Sequence, residues 1–187
     1  MPIIVQKYGG SSIESIEKIR NVAKRIRNCK EKGFDLVIVV SAMGKTTDYL
    51  IEMAHQVSNK PKKREMDVLM STGEQVSISL LSIALNDIGI AAVSYTGLQL
   101  GIKTEGYHTK SRISEINEDV ILNEIDKGKV VIVAGFQGVN ENNEITTLGR
   151  GGSDTTAVAI AAKLGCNCEI YTDVDGIYTV DPRVYPS

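Results

Sequence analysis

Lys7 stands one residue ahead of a glycine pair, Gly9 and Gly10, and Ser11 and Ser12 follow. Ile3 to Tyr8 reads as a short apolar strand, and a helical pattern begins behind the serines. A strand that runs through glycines into a helix N-terminus offers an anion unpaired N–H groups and the positive end of a dipole. Backbone without Cβ atoms approaches a phosphate closely. The Lys7 ammonium, at the strand's end, reaches the same place. This is phosphate-handling chemistry of the kind a kinase needs. The same residues also make an ordinary tight turn with a surface lysine, so the motif alone leaves both readings open.

Three further segments carry chemistry-bearing side chains. In LGRGGSD (148–154), Gly149, Gly151 and Gly152 surround Arg150 and lead into a helix whose first turn holds Ser153 and Asp154. Ser153 reads as an N-cap and Asp154 as a carboxylate beside the helix dipole. The alternative is a second anion site with Arg150 as a carboxylate or phosphate clamp. In STGEQVS (71–77), Glu74 interrupts an apolar helix. A carboxylate there needs a partner, either a structural cation or the ammonium group of a small substrate. In TDVDGIYTVDPR (172–183), Asp173, Tyr178 and Arg183 follow a strand, where open α/β sheets bind ligands; a hairpin around Asp175 and Gly176 is the other reading. SAMGKTT (41–47) ends like a Walker A loop, but Val39 occupies the position that motif reserves for its first glycine. LGRGGSD likewise fails the dinucleotide fingerprint, with Asp154 where a third glycine belongs. His55 and His108 are isolated, and neither is given a role.

The elements that must position these residues alternate. Ser11 and Glu14 have capping-box spacing, and Ile13, Ile16, Ile19, Ala23 and Ile26 recur at helical intervals up to Gly33. Leu36–Val40 and Val130–Ala134 are continuous, mostly β-branched runs, as in strands buried on both faces of a parallel sheet. Asp48 opens a second helix. Glu65 to about Ile88 is helical and apolar on more than one face, hence largely buried. Ile90–Tyr95 reads as a strand, 96–109 as an irregular, glycine-containing stretch with a possible hairpin, and Asn117–Lys127 as a helix. Asn140, Asn142 and Asn143 mark a turn, Gly151–Leu164 a helix ended by Gly165, and Cys168–Thr172 a last strand. The alternation predicts a doubly wound α/β sandwich.

At 187 residues, with 42% hydrophobic and 24% charged residues, the chain has the composition of a single soluble globular domain. A net charge of −2 argues against nucleic acid or an anionic membrane as partner. No uninterrupted apolar run reaches the roughly 18 residues of a membrane span, and the N-terminus has no secretory pattern. Three cysteines, two of them close together, make neither a disulfide framework nor a metal knuckle, which suits thiols in a reducing cytoplasm.

Taken together and in this order, KYGGSS, VVSAMGKTTD, STGEQVS, AGFQG, TTLGRGGSDTTA and TDVDGIYTVDPR closely resemble the catalytic domain of the aspartokinases, within the amino-acid-kinase family. The resemblance covers nearly the whole chain. It implies a three-layer αβα sandwich on a mostly parallel central sheet. It implies ATP-dependent, Mg²⁺-assisted phosphorylation of the side-chain carboxylate of L-aspartate to 4-phospho-L-aspartate, the first step toward lysine, threonine and methionine. Carried over by motif, Lys7, Gly9, Gly10 and Ser11 form the phosphate cradle, and Tyr8 joins the cofactor-binding residues. Ser41, Thr47, Glu74, Arg150 and Ser153 bind aspartate, and Asp154 organises the catalytic lysine. Thr172, Asp173, Tyr178 and Arg183 bind the nucleotide, and no side chain is assigned to a metal. A cytoplasmic homodimer is the expected setting. Family members continue beyond the equivalent of Ser187 and then carry ACT regulatory domains, so residues 1–187 are expected to be one catalytic domain that is incomplete at its C-terminus. The alternatives are a related kinase acting on glutamate, N-acetylglutamate, carbamate or UMP, and a fragment that binds nucleotide and aspartate without turnover.

Overall fold

A computed structural model gives the fold, and residues 1–172 are described. The chain opens with β1 (Ile3–Tyr8) and a single 3₁₀ turn (Gly10–Ile13), followed by α1 (Ile16–Glu31) and β2 (Asp35–Val40). Two helices follow, α2 (Thr46–Val57) and the long α3 (Lys63–Asp87), then β3 (Ala92–Tyr95) and the one-turn α4 (Gly97–Leu100). A hairpin of β4 (Lys103–Tyr107) and β5 (Lys110–Glu115) leads to α5 (Asp119–Asp126) and β6 (Val130–Ala134). The last elements are β7 (Gln137–Val139), β8 (Ile145–Thr147), α6 (Gly152–Leu164) and β9 (Asn167–Tyr171).

The central sheet has the order β3–β6–β2–β1–β9, and every pairing in it is parallel. Helices cover both faces, which is why β6 and, beyond Asp35, β2 are continuously apolar instead of alternating. Successive side chains still point to opposite layers. Leu36, Ile38 and Val40 pack with Ile19, Ile26, Ile78 and Leu81 of α1 and α3. Val37 and Val39 pack with Ile121 of α5 and Ala157 and Ile160 of α6. Each of these buried Val, Leu and Ile side chains contributes roughly 1.5–3 kcal/mol relative to exposure, and Ala157 less. The result is the expected three-layer αβα sandwich.

A second sheet, β5–β4–β7–β8, forms a rim beside the main one. Its strands are too short and too polar to be read reliably from periodicity, and only the β4–β5 hairpin and the asparagine turn are foreshadowed in the sequence. α3 has the length and mean hydropathy of a membrane span, yet it carries Asp67 and Glu74 and packs against α1, α2, β3, β6 and β8. It is the helix from which several later contacts radiate.

Three helix starts differ from expectation. Ser11 and Glu14 do not form a capping box. Ser15 caps α1, its hydroxyl accepting from the Lys18 amide at 3.2 Å, while Glu14 pairs with Lys18 Nζ at 2.6 Å. A 3₁₀ turn over Gly10–Ile13 comes first, which moves the helix start four residues on. Ser153 is likewise not the cap of α6. Gly151 holds that position in a left-handed conformation, φ +72°, and Ser153 sits inside the first turn. α2 begins at Thr46, two residues before Asp48, with Thr46 Oγ1 donating to the Met43 carbonyl at 2.6 Å.

Candidate active site

The registers Tyr8↔Val40 and Val40↔Ala134 make β1, β2 and β6 end at one level. The segments that leave them, with residues of α2, α3, the β4–β5 tip and the loop before α6, surround a cleft of about 1000 Å³. This is the C-terminal edge of a parallel sheet, where such folds bind ligands.

Lys7 shares the α5/α6 side of β1 with Val5, so its side chain leaves the sheet toward the first turn of α6. There Lys7 Nζ meets Asp154 Oδ1 at 2.7 Å. The lysine is nearly buried, whereas the aspartate is about half exposed on the cleft side. A Cβ on Gly9 would come within 3.5 Å of Lys7 Nζ, so the ammonium stands directly over the glycine turn. Gly10 has no room for a side chain, because a Cβ would fall 2.7 Å from the Ala42 carbonyl oxygen. Its own carbonyl accepts from the Gly44 amide at 3.0 Å. The turn after β1 is thus stitched to the loop after β2. The Gly10 and Ser11 amides open the 3₁₀ turn, where no intrahelical acceptor exists.

Glu74 lies in the middle of α3 and is 2% exposed. Its Oε1 accepts from the Ala42 amide at 3.0 Å, and its Oε2 has no partner among the described residues although it lines the cleft. Burial pushes the carboxyl up to about 7, against the opposing pull of the amide hydrogen bonds. Gly73 permits this approach, since a Cβ there would meet Ala42 Cβ at 2.8 Å. A half-satisfied buried carboxylate facing an open cleft is poised for a cationic ligand.

On another wall, Gly149 and Gly151 take left-handed conformations on either side of Arg150. The guanidinium belongs to the cleft lining and has no ion-pair partner among the described residues. Phe136, in the AGFQG segment, also lines the cleft and holds φ +70°, a conformation rare for a bulky residue. Its amide donates to Thr156 Oγ1 at 3.1 Å and its carbonyl accepts from the Leu148 amide at 2.9 Å, which holds the unusual conformation in place.

Residues 2–187 match the amino acid kinase family. The chain belongs to this family. It is 58% identical over 188 residues to aspartokinase 2 of Bacillus subtilis, covering all of this chain and 46% of that protein. It is 60% identical over 184 residues to the aspartokinase of Geobacillus stearothermophilus, covering 98% of this chain and 45% of that one. The chain therefore spans a little under half the length of these relatives. The crystal structure of aspartate kinase from Synechocystis superposes with a TM-score of 0.81 at 55% identity, covering 98% of this chain and 30% of that chain. E. coli aspartokinase III in complex with aspartate and ADP shares the fold, with a TM-score of 0.82 at 24% identity, over 97% of this chain and 52% of that chain.

Within this amino acid kinase, the cleft gathers Lys7, Gly10, Ser41, Thr47, Glu74, Arg150, Ser153 and Asp154. Those are all of the residues assigned to aspartate, plus the lysine, its acidic partner and Gly10 of the phosphate cradle. Tyr8, Ser11 and Thr172 instead border a separate hollow of about 520 Å³ beside α1. Tyr8 points there because it lies on the opposite face of β1 from Lys7, and its ring stacks on Tyr171 at 4.8 Å. The Gly9 amide faces the Tyr171 carbonyl at 3.4 Å. Asp173, Tyr178 and Arg183 lie outside the described residues, as does the Asp175–Gly176 turn. Sequence reasoning missed Met66, Met70, Thr109, Lys110 and Phe136, all part of the cleft wall. Helical spacing back from Glu74 through Met70 to Met66 was the available signal for the two methionines. The hairpin tip gave none.

Proposed function

We propose that this chain forms the greater part of a catalytic domain that transfers the γ-phosphoryl group of ATP to the side-chain carboxylate of L-aspartate, yielding 4-phospho-L-aspartate. The observation that carries the reading is the buried, half-satisfied Glu74 carboxylate facing the same cleft as Arg150 and the Lys7–Asp154 pair. Identity of 55–60% to proteins named aspartokinase or aspartate kinase supports that acceptor over others.

In this reading Glu74 binds the acceptor's α-ammonium group and Arg150 clamps its α-carboxylate. Ser41, Thr47 and Ser153 hydrogen-bond the remainder. The reacting carboxylate has an ordinary pKa near ~4, so it arrives ionised and needs no general base. The work left to the protein is to hold two anions in line and to stabilise charge on the moving phosphoryl group. Lys7 does the second from over the glycine turn, held in place by Asp154. The Gly10 and Ser11 amides add donors for phosphate oxygens. Among the described residues no cluster of three His, Cys, Asp or Glu side chains could grip a metal. Mg²⁺ carried with the nucleotide would add positive charge beside Lys7 for the transferring phosphoryl group.

The test is a hydroxylamine trap for acyl phosphate with Mg-ATP and a panel of aspartate, glutamate and N-acetylglutamate. Hydroxamate that depends on aspartate and is lost in Lys7→Ala supports the reading. Hydroxamate from another acceptor in preference to aspartate overturns it.

A further inference from the structure

Asp67 is the one fully buried acid of α3 that the proposed chemistry does not use. A carboxylate with no solvent exposure needs several donors, and here they come from two distant segments. The Thr109 amide donates to both oxygens at 3.0 and 3.1 Å, and His108 Nδ1 stands 2.6 Å from Oδ2. Thr147 Oγ1 donates to Oδ1 at 2.5 Å. His108 and Thr109 are the two residues of the β4–β5 tip, and Thr147 ends β8, immediately before the loop that carries Arg150.

All three segments continue into the cleft wall. Met66, Met70 and Glu74 line it from α3, Thr109 and Lys110 from the hairpin, and Leu148 to Arg150 from the loop. The hairpin and the loop also touch each other, since a Cβ on Gly149 would lie 3.4 Å from the Thr109 carbonyl oxygen. Thr109 holds φ +70°, a left-handed conformation that a β-branched residue avoids unless its surroundings impose it. The imposing contact is its amide on Asp67. On its outer side His108 Nε2 lies 3.4 Å from Glu144 Oε2 of the β7–β8 turn, and Arg64 of α3 approaches Glu144 in turn at 3.6 Å.

A well-packed apolar trio would stabilise the same joint as well or better than a buried ionic one. What the carboxylate adds is direction, fixing where the hairpin tip and the arginine loop sit relative to Glu74. We infer that Asp67, with His108 and Thr147, is a positioning clasp that sets the acceptor end of the cleft. This rests on the reading of the cleft as an amino-acid acceptor site.

The experiment uses the full chain with Thr147→Val, which removes one donor at constant shape, Thr147→Ser, which restores it, and Asp67→Asn. Aspartate and ATP affinities are measured by calorimetry, KM and kcat by the hydroxamate assay, and hairpin protection by hydrogen exchange. The expected result for Thr147→Val is aspartate binding weakened about 5–50-fold, with ATP binding and kcat within about threefold of the parent. Thr147→Ser should recover aspartate affinity. The Thr109 amide should exchange at least about tenfold faster in Thr147→Val and in Asp67→Asn. A lowered melting temperature with unchanged aspartate affinity would overturn the inference, because it would leave the cluster a merely structural one. If the parent chain binds no aspartate, the functional reading falls first. The clasp then stands or falls on the Thr109 amide alone, and unchanged exchange in Thr147→Val rejects it.

Discussion

Lys7 Nζ lies 2.7 Å from Asp154 Oδ1, a contact that ties the C-terminal end of strand β1 to the first turn of α6. Two segments separated by most of the chain thereby present one cation and one anion at the same edge of the sheet. Asp154→Asn keeps the shape of the side chain but removes the charge that orients the lysine. The expected outcome is a fall in kcat of about 10–100-fold with the aspartate KM nearly unchanged, against about 100–1000-fold for Lys7→Ala. Steady-state hydroxamate kinetics would check both. A parental kcat in Asp154→Asn would show that the lysine needs no orienting partner.

The acceptor's affinity should depend on pH through Glu74. Burial holds this carboxyl near 7 in the free protein, so below that value it is mostly protonated and offers an ammonium group no charge. Aspartate binding should tighten as pH rises from 6 to 8 and level off above. Calorimetric titrations at several pH values would show it, and Glu74→Gln should give a flat and weaker profile. A parental profile that is flat between pH 6 and 8 would mean that Glu74 does not meet the ammonium.

The same shift makes a stability prediction of opposite sign. Between the unfolded carboxyl value near ~4.3 and about 7, the unfolded chain releases a proton that the folded chain keeps. Folding stability from this group is therefore full below that window, is lost as pH rises through it, and stays lost above. Glu74→Gln should be more stable than the parent by roughly 1–3 kcal/mol at pH 8, with the difference vanishing toward pH 4. Urea unfolding at the two pH values measures this. A variant that binds aspartate worse yet unfolds later would identify Glu74 as a group kept for binding at the expense of stability.

The legible part of this molecule follows from burial on both sides. β6 lies where its unbroken β-branched run places it, and β2 differs from its apolar run only by the addition of Asp35, which is buried against Lys30 at 2.7 Å. Chemistry-bearing residues at strand ends were legible too, because glycines and lone charges stand out against apolar neighbours. Contacts set by tertiary geometry were not. His108 looked isolated because Asp67, its partner, lies 41 residues away. Phe136 gave no sign of a positive φ, and Ser11 and Glu14 had the spacing of a cap that the glycine turn pre-empted. β7 and β8 were missed because three-residue strands are too short to show a period.

Gly73 separates helix stability from site geometry. Alanine there gains about 1 kcal/mol of helix propensity. Its Cβ, however, would lie 2.8 Å from Ala42 Cβ, and overpacking of that kind costs typically about 1–3 kcal/mol. The net is a loss of at most about 2 kcal/mol, so the melting temperature of Gly73→Ala should fall by no more than roughly 8 °C. The loop at Ala42 must still move away from α3, which weakens the amide bond to Glu74. Aspartate affinity should drop by about tenfold or more while the fold survives, as paired thermal melts and binding isotherms would reveal. Loss of both together would instead place the contact in the folding core.

Arg150 offers the sharpest distinction between charge and shape. It lines the cleft between two left-handed glycines and has no ion-pair partner among the described residues. A planar fork matches a carboxylate with two parallel hydrogen bonds, which a lysine ammonium cannot reproduce. Arg150→Lys should therefore raise the aspartate KM by about tenfold, and Arg150→Ala by about 100–1000-fold, with the ATP KM unchanged in both. A lysine variant indistinguishable from the parent would reduce Arg150 to a source of positive potential. A change in the ATP KM instead would move the arginine from the acceptor to the nucleotide, and the acceptor's α-carboxylate would then need another partner.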